Sequence, residues 1–391
     1  MTIKSAHRID SVVEYYFSKK LKEIAQLKSE GKEIINLGIG SPDLPPHQSV
    51  IRALTDGAEN SQNHGYQSYI GIPELRAAYA NWYANQYQVD LNSQTEILPL
   101  IGSKEGIMHI SMTFLESGDE VLIPDPGYPT YRSAALLAGA TIRNYSLISE
   151  NGWQPNFTEL ESTDLSKVKI MWVNYPHMPT GAKASIELFE KLVEFGQRHN
   201  ILICHDNPYS LILNPEPLSI LSVAGAKDHC IELNSLSKSH NMAGWRMGVM
   251  VGKQEYISEI LKFKSNMDSG MFRPMQLAAI QALSLDGQWY QDNNKIYEER
   301  KNIAYRILDQ LGCSYETDQA GLFTWGRIPS SYRSGFDLSD DILDHTGVFI
   351  TPGGIFGDNG NAYIRISICT DAKVLNQALE KIESFVNQSV L

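Results

Sequence analysis

Residues 234–252 read NSLSKSHNMAGWRMGVMVG and place a single lysine, Lys238, among small and hydroxylated residues. Ser235 and Ser237 precede the lysine, and Arg246 follows it with a glycine two positions away on either side. Two hydroxyls and a guanidinium, with glycines that allow close backbone approach, form a donor set that suits a phosphate group. A lysine amine forms a Schiff base with an aldehyde when a nearby positive charge or loss of water lowers its pKa. The stretch therefore predicts a phosphate site beside a reactive amine.

Around this stretch, from about residue 47 to residue 285, apolar runs typical of strands alternate with helical stretches. The runs that we interpret as strands are EILPLIG, DEVLIPD, TIRNYSL, VKIMWVNYP, ILICHDNPY, HCIELNS and MGVMVG. Nearly continuous apolar strands separated by helices predict an α/β fold with a mostly parallel seven-stranded sheet covered on both faces. Ligands of such sheets bind outside the carboxyl ends of the strands, so the loops after the strands are the expected site.

The ends of the chain have a different character. Residues 11–30 have apolar residues at helical spacing, and EIINLGIG follows as a short strand. A long amphipathic helix over residues 292–312 precedes three more strands, GLFTWGRI, GVFITPGG and AYIRISIC, and a closing helix over about residues 373–386. These patterns predict an N-terminal arm that includes part of the small domain (1–46), a large domain (47–285) and a small α+β domain (286–391).

The composition excludes several classes of function. The chain has 391 residues, and its formal charge of −12 comes from 45 acidic against 33 basic residues, with no basic block. Nucleic-acid binding therefore has little support. Because there is no membrane-length apolar run and no signal-peptide core at the start, we expect a cytoplasmic protein with no membrane contact. Four scattered cysteines without CxxC spacing predict buried free thiols and no metal site: Cys204, Cys230, Cys313 and Cys369.

Two further loops carry groups that complement the lysine loop. CHDNPYS places Asp206 and Tyr209 at the end of an apolar strand, although an aspartate there usually caps the next turn. LIGSKEG places the backbone N–H groups of Ser103 and Lys104 at a helix start, where anions bind. A phosphate site, an amine nucleophile and a carboxylate for a protonated ring nitrogen are together the requirements of pyridoxal phosphate.

Taken together, these motifs resemble the class I/II aminotransferases that depend on pyridoxal phosphate (fold type I), and the resemblance covers nearly the whole chain. The family motif SxSKxxxxxGxRxG is matched by Ser235, Ser237, Lys238, Gly244, Arg246 and Gly248. The resemblance implies the fold of that family, a large and a small domain, pyridoxal 5'-phosphate as the cofactor, and a homodimer with shared active sites.

The resemblance also implies individual roles. Lys238 would hold the cofactor's aldehyde and shuttle the substrate proton, Asp206 would pair with the pyridinium nitrogen, and Tyr209 would hydrogen-bond the phenolic oxygen. Other matched residues would stack on the cofactor ring, hold its phosphate or reach that phosphate from the partner subunit: Tyr128 for stacking, Ser103, Lys104, Ser235, Ser237 and Arg246 for the phosphate, and Tyr66 from the partner.

Substrate contacts are implied at three positions. The backbone of Gly40 matches a contact to the substrate α-carboxylate, and Arg365 matches the arginine that binds this carboxylate bidentately. Lys104 matches a lysine that meets a distal carboxylate in some aspartate- and prephenate-type relatives. A solvent-facing lysine at a helix start is the alternative for Lys104.

One position departs from the family pattern. The family usually has NPTG where this chain has HMPTG, so Met178 replaces the asparagine that donates to the cofactor's phenolic oxygen. Methionine cannot donate that bond. In one interpretation, Tyr209 donates this hydrogen bond alone or with help from His177 or Asn174, and the pKa of the Schiff base is raised. In the other, HMPTG only marks a sub-branch of the family with ordinary activity.

The expected function is transfer of an amino group between an aspartate-, aromatic- or prephenate-type L-amino acid and a 2-oxo acid such as 2-oxoglutarate. Two alternatives remain. A β-lyase or decarboxylase uses the same electron sink on the same fold, and a regulator binds the cofactor without catalysis. Lys238, Asp206 and Arg365 are all present, which argues against the regulator.

Overall fold

The computed structural model describes residues 3–12 and 16–389. The strands are β1 (Ile35–Asn36), β2 (Ile97–Leu100), β3 (Glu120–Asp125), β4 (Thr141–Ser146), β5 (Val168–Val173), β6 (Leu202–Asp206), β7 (Cys230–Ser235), β8 (Gly248–Gly252), β9 (Phe323–Arg327), β10 (Val348–Phe349), β11 (Thr351–Pro352) and β12 (Tyr363–Ser367). The α-helices are α1 (His7–Asp10), α2 (Tyr16–Ser29), α3 (Gln48–Glu59), α4 (Pro73–Tyr87), α5 (Ser103–Phe114), α6 (Pro129–Leu137), α7 (Phe157–Glu161), α8 (Ile186–His199), α9 (Leu236–Ser239), α10 (Gln254–Ser265), α11 (Arg273–Leu283), α12 (Gly287–Gln310), α13 (Gly335–Thr346) and α14 (Ala372–Ser389).

The large sheet has seven strands in the order β2-β8-β7-β6-β5-β3-β4. Strand β8 runs antiparallel to β2 and β7, and the other neighbouring strands are parallel. The predicted α/β fold with a mostly parallel seven-stranded sheet is therefore confirmed. Each of the seven strands lies within a run that the sequence pattern assigns to it.

Burial on both faces explains why polar and apolar residues do not alternate along these strands. On β6, Ile203 packs with one apolar core, whereas Leu202 and Cys204 pack with a second core on the opposite face. A strand buried on both faces is expected to be apolar throughout. Helix α8 on one face begins with Ser185, whose side chain accepts a hydrogen bond from Leu188 N, as an N-cap residue does.

Two smaller sheets lie beside the large one. Strands β11, β12 and β9 form an antiparallel sheet, and β1 pairs in parallel with β10. The prediction of one continuous strand over GVFITPGG is wrong, because the chain changes sheets after β10, and Thr351 then pairs with Arg365 of β12. Helix α12 packs against α14 and β9. The domain boundaries at residues 46 and 285 stay a prediction.

The prediction of one helix over residues 11–30 is also wrong at its start. Ser11 lies in a turn after α1, where its Oγ donates to Arg8 O at 2.9 Å, and residue 12 is not helical. Helix α2 is described from Tyr16. A serine side chain that bonds the preceding turn competes with helix continuation. The first apolar position of the helical pattern after Val12, residue 13, lies outside the described residues.

The prediction of buried free cysteine thiols is confirmed. All four cysteines are buried and free of disulfides. Among the described helices, none combines the length and apolarity that crossing a membrane requires.

Candidate active site

A cavity of about 560 Å³ lies at the carboxyl ends of the large sheet's parallel strands, with the small antiparallel sheet on its far side. All but one of the predicted site residues line it, namely Gly40, Ser103, Lys104, Tyr128, Asn174, Asp206, Tyr209, Ser235, Ser237, Lys238, Arg246 and Arg365. The exception is Tyr66, which lies before α4 with its side chain 94% exposed. The loops after β2, β5, β6 and β7 thus meet as the topology predicts.

Lys238 lies in α9, the short helix directly after β7, and its side chain is half-buried. Its Nζ donates a hydrogen bond to Gly40 O, which brings residues nearly 200 positions apart into contact. Burial lowers the pKa of Lys238, and the positive charges of Arg365 and Arg246 lower it further, against the opposing effects of Cys369 and Asp206. A lysine with a lowered pKa has a larger neutral fraction, and the neutral amine is the nucleophile.

Asp206 ends β6 and is 5% exposed. Its Oδ2 accepts a hydrogen bond of 2.9 Å from Tyr131 Oη, whereas the buried Oδ1 has no partner among the described residues. Burial raises the pKa of Asp206 to about 6, although the Tyr131 hydrogen bond and the charges of His205 and Lys238 oppose the rise. A buried carboxylate oxygen without a partner is costly and fits a ligand N–H donor in the cavity.

An anion cradle lies between the starts of α5 and α9. Ser103 is the first residue of α5, after Gly102 with a φ of +81°. A Cβ atom at Gly102 would lie 2.1 Å from Arg246 Nη2, so only glycine allows the guanidinium to approach the turn. Ser235 Oγ donates to Ser237 Oγ at 2.8 Å, which places both hydroxyls on the same side of the cavity. Hydroxyls, a guanidinium and a helix N-terminus suit a phosphate group.

Arg365 lies on β12 of the small sheet and is 3% exposed. Its guanidinium carbon lies 3.9 Å from the ring centroid of Phe323 and 4.7 Å from that of Phe356. Nη2 donates to Gly38 O at 2.7 Å, and Nη1 lies 3.3 Å from Met178 Sδ. The guanidinium is thus fixed by two rings and two acceptors at the wall of the cavity. A fixed guanidinium suits bidentate binding of a carboxylate.

Three tyrosines were predicted at the site. Tyr128 is half-buried before α6, with its ring centroid 5.6 Å from that of Tyr131 at an interplanar angle of 84°. Tyr209 is half-buried, its ring meets Phe323 edge-on at 6.1 Å, and burial raises the pKa of its phenol. Tyr66 lies away from the cavity of its own chain. The structure brings Tyr128 and Tyr209 to the cavity.

Comparison with known proteins gives the family. Residues 32–382 match the family described as aminotransferase class I and II. The chain belongs to this family. It is therefore an enzyme, a transaminase that acts on amino acids and 2-oxo acids. Among curated relatives, an LL-diaminopimelate aminotransferase of Dehalococcoides mccartyi is 40% identical over 99% of this chain and 100% of the relative. A second LL-diaminopimelate aminotransferase, from Natranaerobius thermophilus, is 41% identical over 97% of this chain and 99% of the relative.

Solved structures agree with this assignment. The aminotransferase superposes on substrate-bound BacF from Bacillus subtilis with a TM-score of 0.93 and 34% identity over 98% of both chains. It superposes on an aspartate aminotransferase from Thermotoga maritima with a TM-score of 0.90 and 26% identity, over 98% of this chain and 100% of the other. The predicted family and fold are confirmed.

Met178 lines the cavity of this aminotransferase and is 6% exposed. Its backbone N donates to Asn174 Oδ1 at 2.8 Å, and Asn174 Nδ2 donates to Asp206 O at 2.6 Å. The Asn174 amide is thus engaged in holding the loop to β6. His177 does not line the cavity; its Nδ1 pairs with Thr180 Oγ1 at 2.8 Å, and burial lowers its pKa to about 3. Of the two alternatives for help at the phenolic oxygen, Asn174 therefore lines the cavity and His177 does not.

Sequence reasoning missed Tyr131 and Phe323, which both line the cavity of the aminotransferase. Tyr131 lies three residues after Tyr128 in PGYPTY, in the first turn of α6, so its nearness to a predicted site residue was an available signal. Its hydrogen bond to Asp206 joins residues 75 positions apart, and no local sequence pattern predicts such a contact. In the sequence, Phe323 is one apolar residue of a predicted strand. Its contact with Arg365 depends on the pairing of β9 with β12, which the sequence does not show.

Proposed function

We propose that this aminotransferase binds pyridoxal phosphate in the cavity, with its aldehyde on Lys238. The supporting observation is that a single cavity joins the lysine amine, the unpartnered oxygen of Asp206 and the donor cradle around Arg246. These three features fit the aldehyde, the ring nitrogen and the phosphate of that cofactor. When bound, the cofactor supplies an aldehyde that condenses with amines and a ring that withdraws electrons from the substrate carbon.

The chain's own residues would supply binding and proton transfer. Arg365 would hold the substrate α-carboxylate, and Tyr128 would cover one face of the ring. Lys238 would hold the cofactor's aldehyde, and its Nζ would accept and return the proton of the substrate α-carbon. Asp206 would keep the ring nitrogen protonated, because its buried carboxylate requires a cationic partner.

We further propose that the donor is a dicarboxylic amino acid, with LL-diaminopimelate as the first candidate and aspartate-type substrates as the second. The names of the relatives support diaminopimelate. Within the chain, Arg365 and Lys104 both line the cavity, so carboxylates at two ends of one substrate would each meet a cation. The acceptor would be a 2-oxo acid such as 2-oxoglutarate.

A donor panel tests this proposal. With purified protein, added pyridoxal phosphate and 2-oxoglutarate, LL-diaminopimelate, L-aspartate and L-phenylalanine are compared by glutamate formation and by ammonia release. We expect glutamate without ammonia, and dicarboxylic donors with the highest kcat/KM. Lys104→Met should raise the KM of these donors up to about fivefold, because Lys104 is exposed and an exposed charge contact contributes at most about 1 kcal/mol. The KM of L-phenylalanine should stay unchanged.

The control variant is Lys167→Met, at an exposed lysine that does not line the cavity. Ammonia released in step with the 2-oxo acid would indicate a lyase instead. Absence of transfer from every donor would contradict the proposed transamination, and an equal effect of Lys104→Met on all donors would contradict the role of Lys104.

We propose that the protein is a homodimer in which Tyr66 reaches the phosphate site of the partner. Tyr66 is 94% exposed and does not line its own cavity, so its side chain is accessible to another chain. The segment that follows Tyr66 lies close to Gly270, where a Cβ atom would be 2.6 Å from Gln67 O and 2.8 Å from Ser68 O. Ile39 lines the cavity and is 43% exposed in the single chain, so an apolar side chain beside the site is also accessible to a partner.

Hybrid dimers test the exchange of Tyr66. Lys238→Ala and Tyr66→Ala chains, each of low activity alone, are co-expressed with different tags and purified as mixed dimers. If Tyr66 serves the partner, one of the two sites contains both native residues, and about half of the native activity returns. If Tyr66 serves its own chain, no site is native, and the mixed dimer stays as weak as Tyr66→Ala. Mixed dimers that cannot be isolated because the protein is a monomer would also contradict the proposal.

A further inference from the structure

Residues 37–45, which we call the linking segment, connect β1 to α3 and contact two cationic groups of the site through backbone carbonyls. Gly38 O accepts a hydrogen bond of 2.7 Å from Arg365 Nη2, and two residues later Gly40 O accepts one from Lys238 Nζ. The position of this short piece of backbone therefore affects where the guanidinium and the amine lie relative to each other.

The first part of the linking segment is held by the small sheets. Leu37 O accepts from Ser367 N at 2.8 Å, and Ile39 O accepts from Ser367 Oγ at 2.6 Å. Ser367 is the last residue of β12, the strand that carries the guanidinium. A Cβ atom at Gly38 would lie 2.5 Å from Phe349 Cε1, so the backbone also packs closely against β10. These contacts fix the segment up to Ile39.

The later part of the linking segment is held by an ion pair with α12. Arg300 donates from Nη1 to Asp43 Oδ1 at 2.7 Å and from Nη2 to Asp43 Oδ2 at 3.0 Å. Its Nη1 also donates to Ile368 O at 3.3 Å, directly after β12. A bidentate pair of arginine and carboxylate fixes both the distance and the orientation of its partners. One guanidinium thus joins the linking segment to the end of β12.

Burial distinguishes this ion pair from an ordinary surface pair. The Arg300 side chain is 3% exposed, and that of Asp43 is 33% exposed. By contrast, Arg306 on the same helix is 61% exposed and lies 3.9 Å from Glu383, a geometry that contributes little because water screens both charges. A guanidinium removed from water requires its carboxylate and carbonyl partners, so its position and theirs are coupled.

We propose that Arg300 is a positioning residue for Lys238. Through Asp43 it holds the linking segment in the place where Gly40 O receives the lysine amine. The contact of the same guanidinium with the end of β12 keeps the carboxylate-binding strand and the linking segment at a fixed separation. The effect on the amine follows from contacts within the chain, whereas its consequence for amino transfer rests on the proposed function.

A change in geometry at the pair can be separated from a change in charge. Besides burial, the pKa of Lys238 responds to four titratable groups, and none of them belongs to the pair: Cys369, Arg365, Arg246 and Asp206. The carbonyl of Gly40 accepts from the amine and favours its protonated form. Arg300→Lys and Asp43→Glu leave every charge in the chain unchanged. A shift in the pKa of Lys238 in these variants would therefore come from the position of the linking segment.

Labelling of the cofactor-free protein with acetic anhydride tests the positioning role. The reagent modifies only neutral amines, so the pH dependence of Lys238 labelling, read by peptide mass spectrometry, gives the pKa of this lysine. Arg300→Lys shortens the pair and Asp43→Glu lengthens it. Each should lower the midpoint by about one pH unit, a tenfold change in proton affinity, because Gly40 O is withdrawn from the amine. The double variant combines opposite changes in length and should return the midpoint close to its native value.

The matched control is Arg306→Lys, the same substitution at the exposed pair of α12, and it should leave the midpoint unchanged. Single variants with a native midpoint would overturn the proposal, and so would a double variant shifted by the sum of the two. If Arg300→Lys does not fold, Asp43→Glu decides: a lowered midpoint supports the role, and a native one contradicts it. Because no cofactor takes part, a protein that fails to bind pyridoxal phosphate would contradict the proposed function and leave this result intact.

Discussion

At the residue scale, the two oxygens of Asp206 have different environments. Tyr131 Oη donates to Oδ2, and Oδ1 has no partner among the described residues. The Tyr131 ring is itself fixed, since it stacks on Trp172 with a centroid distance of 4.9 Å and an interplanar angle of 3°. One oxygen thus orients the carboxylate, and the other is left for a ligand. Tyr131 is therefore a positioning residue for Asp206.

Removing this hydroxyl should shift the pH dependence of cofactor binding. Asp206 binds a cationic ring only when ionised, so affinity falls as pH drops through its pKa, which burial raises to about 6. The Tyr131 hydrogen bond favours the ionised form, so Tyr131→Phe raises that pKa further. We expect the midpoint of pyridoxal phosphate affinity against pH to move up by about one unit, since a hydrogen bond to a charged group contributes about 1.5–3 kcal/mol.

The matched control is Tyr145→Phe, which removes the hydroxyl of another buried tyrosine, whose partner is Trp172 O. It should leave the midpoint in place. Equal shifts in both variants would show that the Tyr131 effect comes from general loss of packing.

Met178 offers a second prediction at this scale. Met178→Asn places an amide donor where the family has one, and a donor to the cofactor's phenolic oxygen favours the unprotonated Schiff base. We expect the pH midpoint of the visible band to fall by up to about one unit, the range of a neutral hydrogen bond. Met178→Leu, of similar volume and without a donor, should not change it. Equal midpoints in all three proteins would mean that HMPTG has no effect on this equilibrium.

At the element scale, the sequence was sufficient for the large sheet, because each of its strands is a separate apolar run followed by a polar loop. The positions of Lys238, Asp206 and Ser103 followed from that arrangement, since each lies at or just after the end of a strand. The prediction failed at one strand of the small sheets. GVFITPGG has the composition of one strand, yet its two halves pair with strands of different sheets.

Contacts between elements were beyond sequence reasoning. The Tyr131–Asp206 bond joins α6 to β6, and the His205–Glu232 pair joins two strands at a register that no local pattern specifies. A buried histidine in ILICHD and a buried glutamate in HCIELNS each interrupt an apolar run, which was the available signal. Read separately, neither residue identifies its partner.

At the scale of the whole molecule, the cavity exists because two parts of the chain meet. The large sheet contributes the lysine, the aspartate and the anion cradle, whereas the small antiparallel sheet contributes Arg365 and Phe323. Gly40, in the segment between β1 and α3, closes the space between them, since a Cβ there would lie 2.3 Å from Phe323 Cζ. Substrate binding at Arg365 and chemistry at Lys238 therefore depend on the packing of the small sheet against the large one.

The most direct test of the central claim is peptide mapping after borohydride reduction. Borohydride fixes a Schiff base as a stable amine, so the labelled lysine of the protein with added pyridoxal phosphate is read by mass spectrometry. We expect the label on the peptide that contains Lys238, and its loss together with amino transfer in Lys238→Ala. A label on another lysine, or no label in an active protein, would contradict the account.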